Sequence, residues 1–165
     1  MNSDSATRLL RAWLVTAATD FLFASTLAVV AYHSTVARVW QGVASTVLGP
    51  ASFDGGARTV AIGIAMHCCV ALAWTSIFFA LYSAWPALRR LVATTAGMLG
   101  VAAVYGPLIW VAMSFVVIPL VTKHPLPTIT ARWIGQAFGH ICFVALPMIA
   151  VISRGRVAGR VPVTV

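Results

Sequence analysis

Acidic residues are nearly missing from this chain. It has 3 Asp and Glu against 11 Lys and Arg in 165 residues, and only 8 % of its residues are charged, where a soluble domain carries about 25 %. So few charges cannot give a globule a water-compatible surface, which excludes a soluble enzyme and a disordered chain. The shortage of acids also excludes hydrolysis by paired carboxylates. Cysteine is sparse as well. Cys68, Cys69 and Cys142 are odd in number, sit in apolar runs and read as small core residues rather than a disulfide framework. Nucleophile elbow, phosphate-binding glycine loop and zinc-protease helix are all missing, as are repeats, low-complexity tracts and any soluble domain. There is no basic soluble surface interleaved with aromatics, so nucleic acid is excluded as a partner.

What remains is apolar. Hydrophobic residues make up 61 % of the chain and the mean hydropathy is +0.95. The charges divide the sequence into four apolar stretches, each long enough for the roughly 20 residues a membrane-spanning helix needs. They predict spans over about 11–32, 60–84, 92–121 and 133–153. The first is broken only by Asp20; its length and the three spans that follow favour a retained helix over a cleaved signal peptide. The fold class is therefore an all-α bundle of four transmembrane helices in a single domain, 1–165.

Positive charge sets the orientation. Arg8, Arg11, Arg89, Arg90, Arg154, Arg156 and Arg160 fall on one side, and Arg38, Arg58, Lys123 and Arg132 on the other. Seven against four predicts that both termini of this multi-pass protein are cytoplasmic. The net charge of +8 then faces anionic lipid.

The first connection is the long one. Val36, Trp40, Val43 and Val47 recur at helical spacing while Arg38, Gln41 and Ser45 point elsewhere. That pattern predicts an interfacial helix over about 35–48 in the outer connection, with Trp40 at headgroup level. Gly49-Pro50 ends it and Asp54-Gly55-Gly56 makes a turn.

Helices in lipid associate by close backbone approach, so small residues mark their contacts. The candidates are Gly63, Gly97, Gly100, Gly135 and Gly139, with Ala17 and Ala24 flanking Asp20. Gly135 and Gly139, spaced as small-xxx-small, are the expected contact between copies. Gly106-Pro107 and Pro147 are expected to kink the third and fourth helices and free backbone carbonyls.

An ionised group in hydrocarbon costs at least ~3 kcal/mol, so intramembrane ionisable residues are candidate functional groups. At 1.5 Å per residue, Asp20, His67 and His140 each lie roughly 12–13 Å from the nearest flanking charge. The two histidines share a level and Asp20 lies about a turn below. Tyr105 falls near the midplane and Gln136 is one turn from His140. These five form the candidate polar cluster. Desolvation disfavours the charged form of a carboxyl and an imidazole alike, so Asp20 and a histidine can exchange one proton. The alternative is a hydrogen-bond network that only fixes packing. Two histidines on facing helices at one depth also meet the first requirement of a b-type haem. A Cys/His metal site fails on geometry, because helical neighbours one and two apart diverge by about 100° and 200°. No metal and no other cofactor is expected.

Ala44-Ser45-Thr46-Val47-Leu48-Gly49, then Phe53-Asp54-Gly55-Gly56 and Gly63 to His67, form a connected pattern. It resembles a group of uncharacterised bacterial four-span inner-membrane proteins with an Ala-Ser-x-x-Leu-Gly loop, a Gly-Gly turn and a Gly-x-x-x-His helix. Met113 to Leu120 is similar to that group's third-helix ending, with Ser114 where the group carries Asn. Asp20, His140 and Pro147 match its other helices, so the likeness covers about residues 20–150. The resemblance implies the four-span topology and singles out Asp20, His67 and His140. It implies no reaction. The expectation is a small non-enzymatic membrane protein with a role in proton-linked transport or a channel-like role, with a subunit of a larger membrane complex and a haem-binding carrier as alternatives.

Overall fold

The computed structural model describes residues 3–122 and 126–154. Lys123, Arg156 and Arg160, used above in the charge count, lie outside the described residues. Four helices are long and apolar enough to cross a membrane, which gives the chain the build of an integral membrane protein. The first span is Ser3–Val30, the second Gly56–Ala84, the third Thr95–Thr122 and the fourth Ala131–Arg154. A loop helix, Val36–Leu48, precedes the second span, and a short linker helix, Pro86–Leu91, precedes the third. The first span starts well before Arg11, because Arg8 and Arg11 interrupt hydropathy without interrupting helix. Threonine hydroxyls open three of these elements: Thr35, Thr94 and Thr130 accept from the backbone N–H of Arg38, Gly97 and Trp133.

The first span packs against the second and the fourth, and the fourth against the third. Outward faces are apolar. Leu22, Val104, Leu120 and Phe138 are each more than 60 % exposed, which suits hydrocarbon and not water. Cys69 and Cys142 are exposed on these faces and only Cys68 is half-buried, which corrects the expectation of three core cysteines. The core holds Phe78, Tyr105, Met148, Ile149 and Ile152.

The loop helix differs from its expected position. Trp40 is 1 % exposed and stacked on Phe21 at 4.7 Å between ring centroids, so protein covers it, not lipid headgroups. Gln41, expected to point elsewhere, is buried and donates to the Gly56 carbonyl at 3.4 Å, while Val36 and Val47 are exposed. The inward stripe is Trp40, Gln41 and Ala44. Periodicity identifies an apolar face but not whether lipid or protein covers it. Gly63 decides the matter here: a Cβ on it would overlap the Trp40 carbonyl, so its absence lets the two backbones touch. Gly49 at φ 77° and Gly56 at φ 58° occupy backbone conformations that side chains rarely adopt, and they turn the chain into and out of the segment Pro50–Asp54.

The other candidate packing glycines divide. Gly97 abuts the Leu91 carbonyl and Gly139 the Phe23 ring. Gly100 and Gly135 meet nothing within 4 Å. Gly139 is thus filled from within the chain, and the small-xxx-small pair does not form one open face between copies. Gly106 is a packing glycine as well, since a Cβ there would lie 2.7 Å from the His140 backbone.

The expected distortion is found near Pro147 but not at Gly106-Pro107, where Pro107 lies within the continuous helix Thr95–Ala112; the third span is distorted instead before Pro119. Met113–Val117 and Ile141–Ala145 are both π-helical. Met113 lies six residues before Pro119 and Ile141 six before Pro147. A proline cannot donate to the carbonyl four residues back, and the wider turn absorbs the misfit. The carbonyl that Pro147 leaves free, that of Phe143, accepts from the Thr19 hydroxyl at 2.6 Å across to the first span.

Candidate functional site

Asp20 projects from the first span and His67 from the second, one turn beyond Gly63, whose missing side chain admits the Trp40 backbone of the loop helix. His67 Nδ1 lies 3.6 Å from Asp20 Oδ2, with the side chains 11 % and 21 % exposed. His67 Nε2 lies 3.1 Å from the Ala17 carbonyl oxygen. A carbonyl only accepts, so Nε2 carries the hydrogen and donates. A single proton added to the facing pair, Nδ1 and the carboxyl, has two places to sit. Either an imidazolium faces a carboxylate, or a neutral imidazole faces a carboxylic acid. These forms interconvert by one proton crossing one contact, which stands just beyond hydrogen-bond length. Trp40 holds the imidazole edge-on, with ring centroids 5.0 Å apart.

His140 stands on the fourth span, directly before its π turn. Its Nδ1 donates to the Gln136 carbonyl at 2.7 Å, which leaves Nε2 as the nitrogen available to a further partner. The ring packs on Trp110 at 4.8 Å.

Asp20, His67, His140 and Gln136 line one cavity of about 340 Å³. Its remaining walls are largely aromatic and aliphatic, with Trp40, Trp74, Trp110, Met66, Met113 and Met148 prominent. A second cavity of about 330 Å³ adjoins it, and Val39, Val43, Thr46 and Gln136 line both. The second continues past Tyr32, Arg38 and Phe53. Gln136 marks the junction, and its Nε2 donates to the Tyr32 hydroxyl at 3.2 Å. Arg132 stacks over the Tyr32 ring at 3.8 Å and Arg38 over the Phe53 ring at 5.1 Å, so two guanidinium groups flank this end.

Four of the five candidate cluster residues therefore share one space. Tyr105 does not join them. Its hydroxyl donates to the Trp74 carbonyl at 2.9 Å, and its ring sits in the core 5.1 Å from Phe78. Depth alone placed it with the cluster, but its helical face turns it away. Ser114 lies outside the cavity lining too, accepting from Trp133 Nε1 at 3.2 Å across the third and fourth spans.

Sequence reasoning missed Trp40, Trp110 and Thr16 as cavity residues. Thr16 precedes Asp20 by one helical turn, a signal that was legible; the two tryptophans carried none beyond ordinary aromatic enrichment. Among the described residues no three His, Cys, Asp or Glu side chains come together closely enough to hold a metal ion. Nor does the pair of histidines suit haem as it stands, since one ring nitrogen of His67 donates to Ala17 and the other faces Asp20.

No protein-family model matches the chain, and neither a characterised protein nor a solved structure shows significant similarity to it.

Proposed function

We propose that the chain is a small non-enzymatic membrane protein that relays protons through its polar cavity, alone or coupled to a solute. One observation carries the reading: Asp20 and His67 face each other at 3.6 Å in the wall of a cavity that His140 also lines. Buried ionisable residues that face a bundle interior in place of lipid mark ion and proton pathways. The adjoining cavity supplies a route toward Arg38 and Arg132. Non-haem function is favoured by the engaged nitrogens of His67, and the likeness to four-span bacterial inner-membrane proteins points to the same three residues.

Orientation belongs to the same proposal. Arg89 and Arg90 of the linker helix and Arg154 of the fourth span line one cleft of about 510 Å³, so these members of the seven-residue set share an end. That end is read as cytoplasmic, and its three guanidinium groups suit anionic lipid headgroups. A second reading, a subunit of a larger complex, draws on Gly135, which meets nothing beside the exposed Ile134 and Phe138; a homo-oligomer would use the same open face.

Proton uptake by liposomes containing the purified protein and an internal pH dye tests the proposal. Wild type should acidify the lumen faster than empty liposomes under an imposed potential. Asp20→Asn and His67→Ala should each lower the rate on the order of tenfold while leaving helical circular dichroism intact. Unchanged rates accompanied only by lower thermal stability overturn the relay in favour of a packing network. Co-purification of a defined set of membrane proteins supports the subunit reading.

A further inference from the structure

Two indole N–H groups, which can only donate, are left without a partner at the cavity. Among the described residues, four buried side-chain atoms lack a hydrogen-bond partner: Thr16 Oγ1, Ser25 Oγ, Trp40 Nε1 and Trp110 Nε1. Three of the four belong to residues that line the cavity shared by Asp20, His67 and His140. Thr16 is 0 % and Trp40 1 % exposed. A buried polar atom without a partner costs roughly 1–3 kcal/mol, and native structures keep few of them. Their concentration around one space is the signature of a site rather than of a core.

The chemistry of these groups limits what fits. An indole N–H donates and cannot accept, so whatever meets Trp40 and Trp110 brings acceptor oxygens. No Lys or Arg lines this cavity, so a fixed anion would find no permanent counter-charge there. Away from Asp20, His67, Gln136 and His140 the walls are mostly tryptophan, methionine, valine and isoleucine side chains, which suit an apolar ring. At about 340 Å³ the space lies within the range of small-molecule sites, roughly 300–1,000 Å³; filled with water alone it would hold on the order of ten molecules at ~30 Å³ each.

We infer that this cavity binds a neutral, membrane-soluble ring compound bearing carbonyl oxygens, of which a quinone is the simplest example. Trp40 and Trp110 donate to its carbonyls and the methionine and tryptophan side chains cover its faces. The inference deepens the proton-relay reading and rests on its assignment of the cavity as the working site, but binding and relay are measured separately.

Menadione, a quinone without a long tail, is the probe. Three of the chain's tryptophans line the cavity, so bound quinone should quench intrinsic fluorescence saturably in the purified full chain. Trp40→Phe and Trp110→Phe keep a ring and delete the N–H; each should weaken binding roughly three- to tenfold. Trp13→Phe is the control, because Trp13 donates to the Cys68 carbonyl and does not line the cavity. Val43→Trp, which narrows the cavity from the half-buried side of the loop helix, should abolish saturable quenching even if a phenylalanine variant fails to fold. Quenching that rises linearly with menadione, alike in all variants, means that the cavity holds water only and overturns the inference. Saturable binding blind to Trp40, Trp110 and Val43 overturns it too, placing the quinone on the outer surface. Proton flux without saturable quenching leaves the relay standing and removes this ligand, whereas saturable quenching without flux does the reverse.

Discussion

At Gly63 a methyl group would be driven into the Trp40 carbonyl, while at Gly135 it would meet open space. The same residue type thus has opposite consequences at two positions. Gly63→Ala forces one backbone off another and should destabilise the fold by about 1–3 kcal/mol, the usual cost of overpacking. Gly135→Ala removes a helix-weakening glycine and should be neutral or stabilising by up to about 1 kcal/mol. Thermal unfolding in detergent, followed by circular dichroism, separates the two. Equal effects would mean that the loop helix does not press on the second span. Among the candidate residues, Asp20, His67, His140 and Gln136 were legible because an ionisable or amide group in an apolar run has few alternatives to facing inward. Tyr105 was not, because tyrosine can satisfy its hydroxyl at any nearby carbonyl and needs no polar cluster. Trp40 was misplaced for a related reason: an amphipathic aromatic suits the headgroup region and a ring stack equally well, and only Phe21 and His67 decide between them.

The spans themselves were read from charge and length, with ends that shift by a few residues because charge interrupts hydropathy before it interrupts hydrogen bonding. Inside the spans the π turns were not read, and proline alone does not announce them, since Pro107 lies in an unbroken α-helix. Each starts six residues before a proline, Pro119 or Pro147. The second has a partner that reports on it: the Thr19 hydroxyl lies 2.6 Å from the Phe143 carbonyl, nearer than the 2.9 Å to Val15 in its own helix. Thr19→Val should cost about 0.5–1.5 kcal/mol, the scale of interhelical hydrogen bonds in membranes. In a Pro147→Ala background the Phe143 carbonyl gains a backbone donor, so the same change should cost less. A double-mutant cycle on unfolding free energy measures the difference, and additive effects would show that the hydroxyl does not serve the carbonyl freed by proline.

For the whole molecule, the question is which end of the cavity faces which compartment. If all four helices cross, Ser3 and Arg154 lie on one side together with the linker helix, and the loop helix lies opposite. Arg89 donates to the carbonyls of Tyr82 and Ser83 at the end of the second span, which holds one of the seven orienting charges at the membrane boundary. Two of the four opposing charges, Arg38 and Arg132, rest on aromatic rings. Single cysteines at exposed sites on each side read the orientation directly. Ala93→Cys, beyond the linker helix, should resist an impermeant maleimide in intact spheroplasts and react once they are permeabilised; Ala51→Cys, beyond the loop helix, should react in both. Replacing Arg89 and Arg90 by Gln reduces the bias from seven against four to five against four, so a fraction of the molecules should then expose Ala93→Cys. Labelling of Ala93→Cys before permeabilisation in the otherwise native chain would invert the direction of the proposed proton path, with Arg38 and Arg132 at its cytoplasmic mouth.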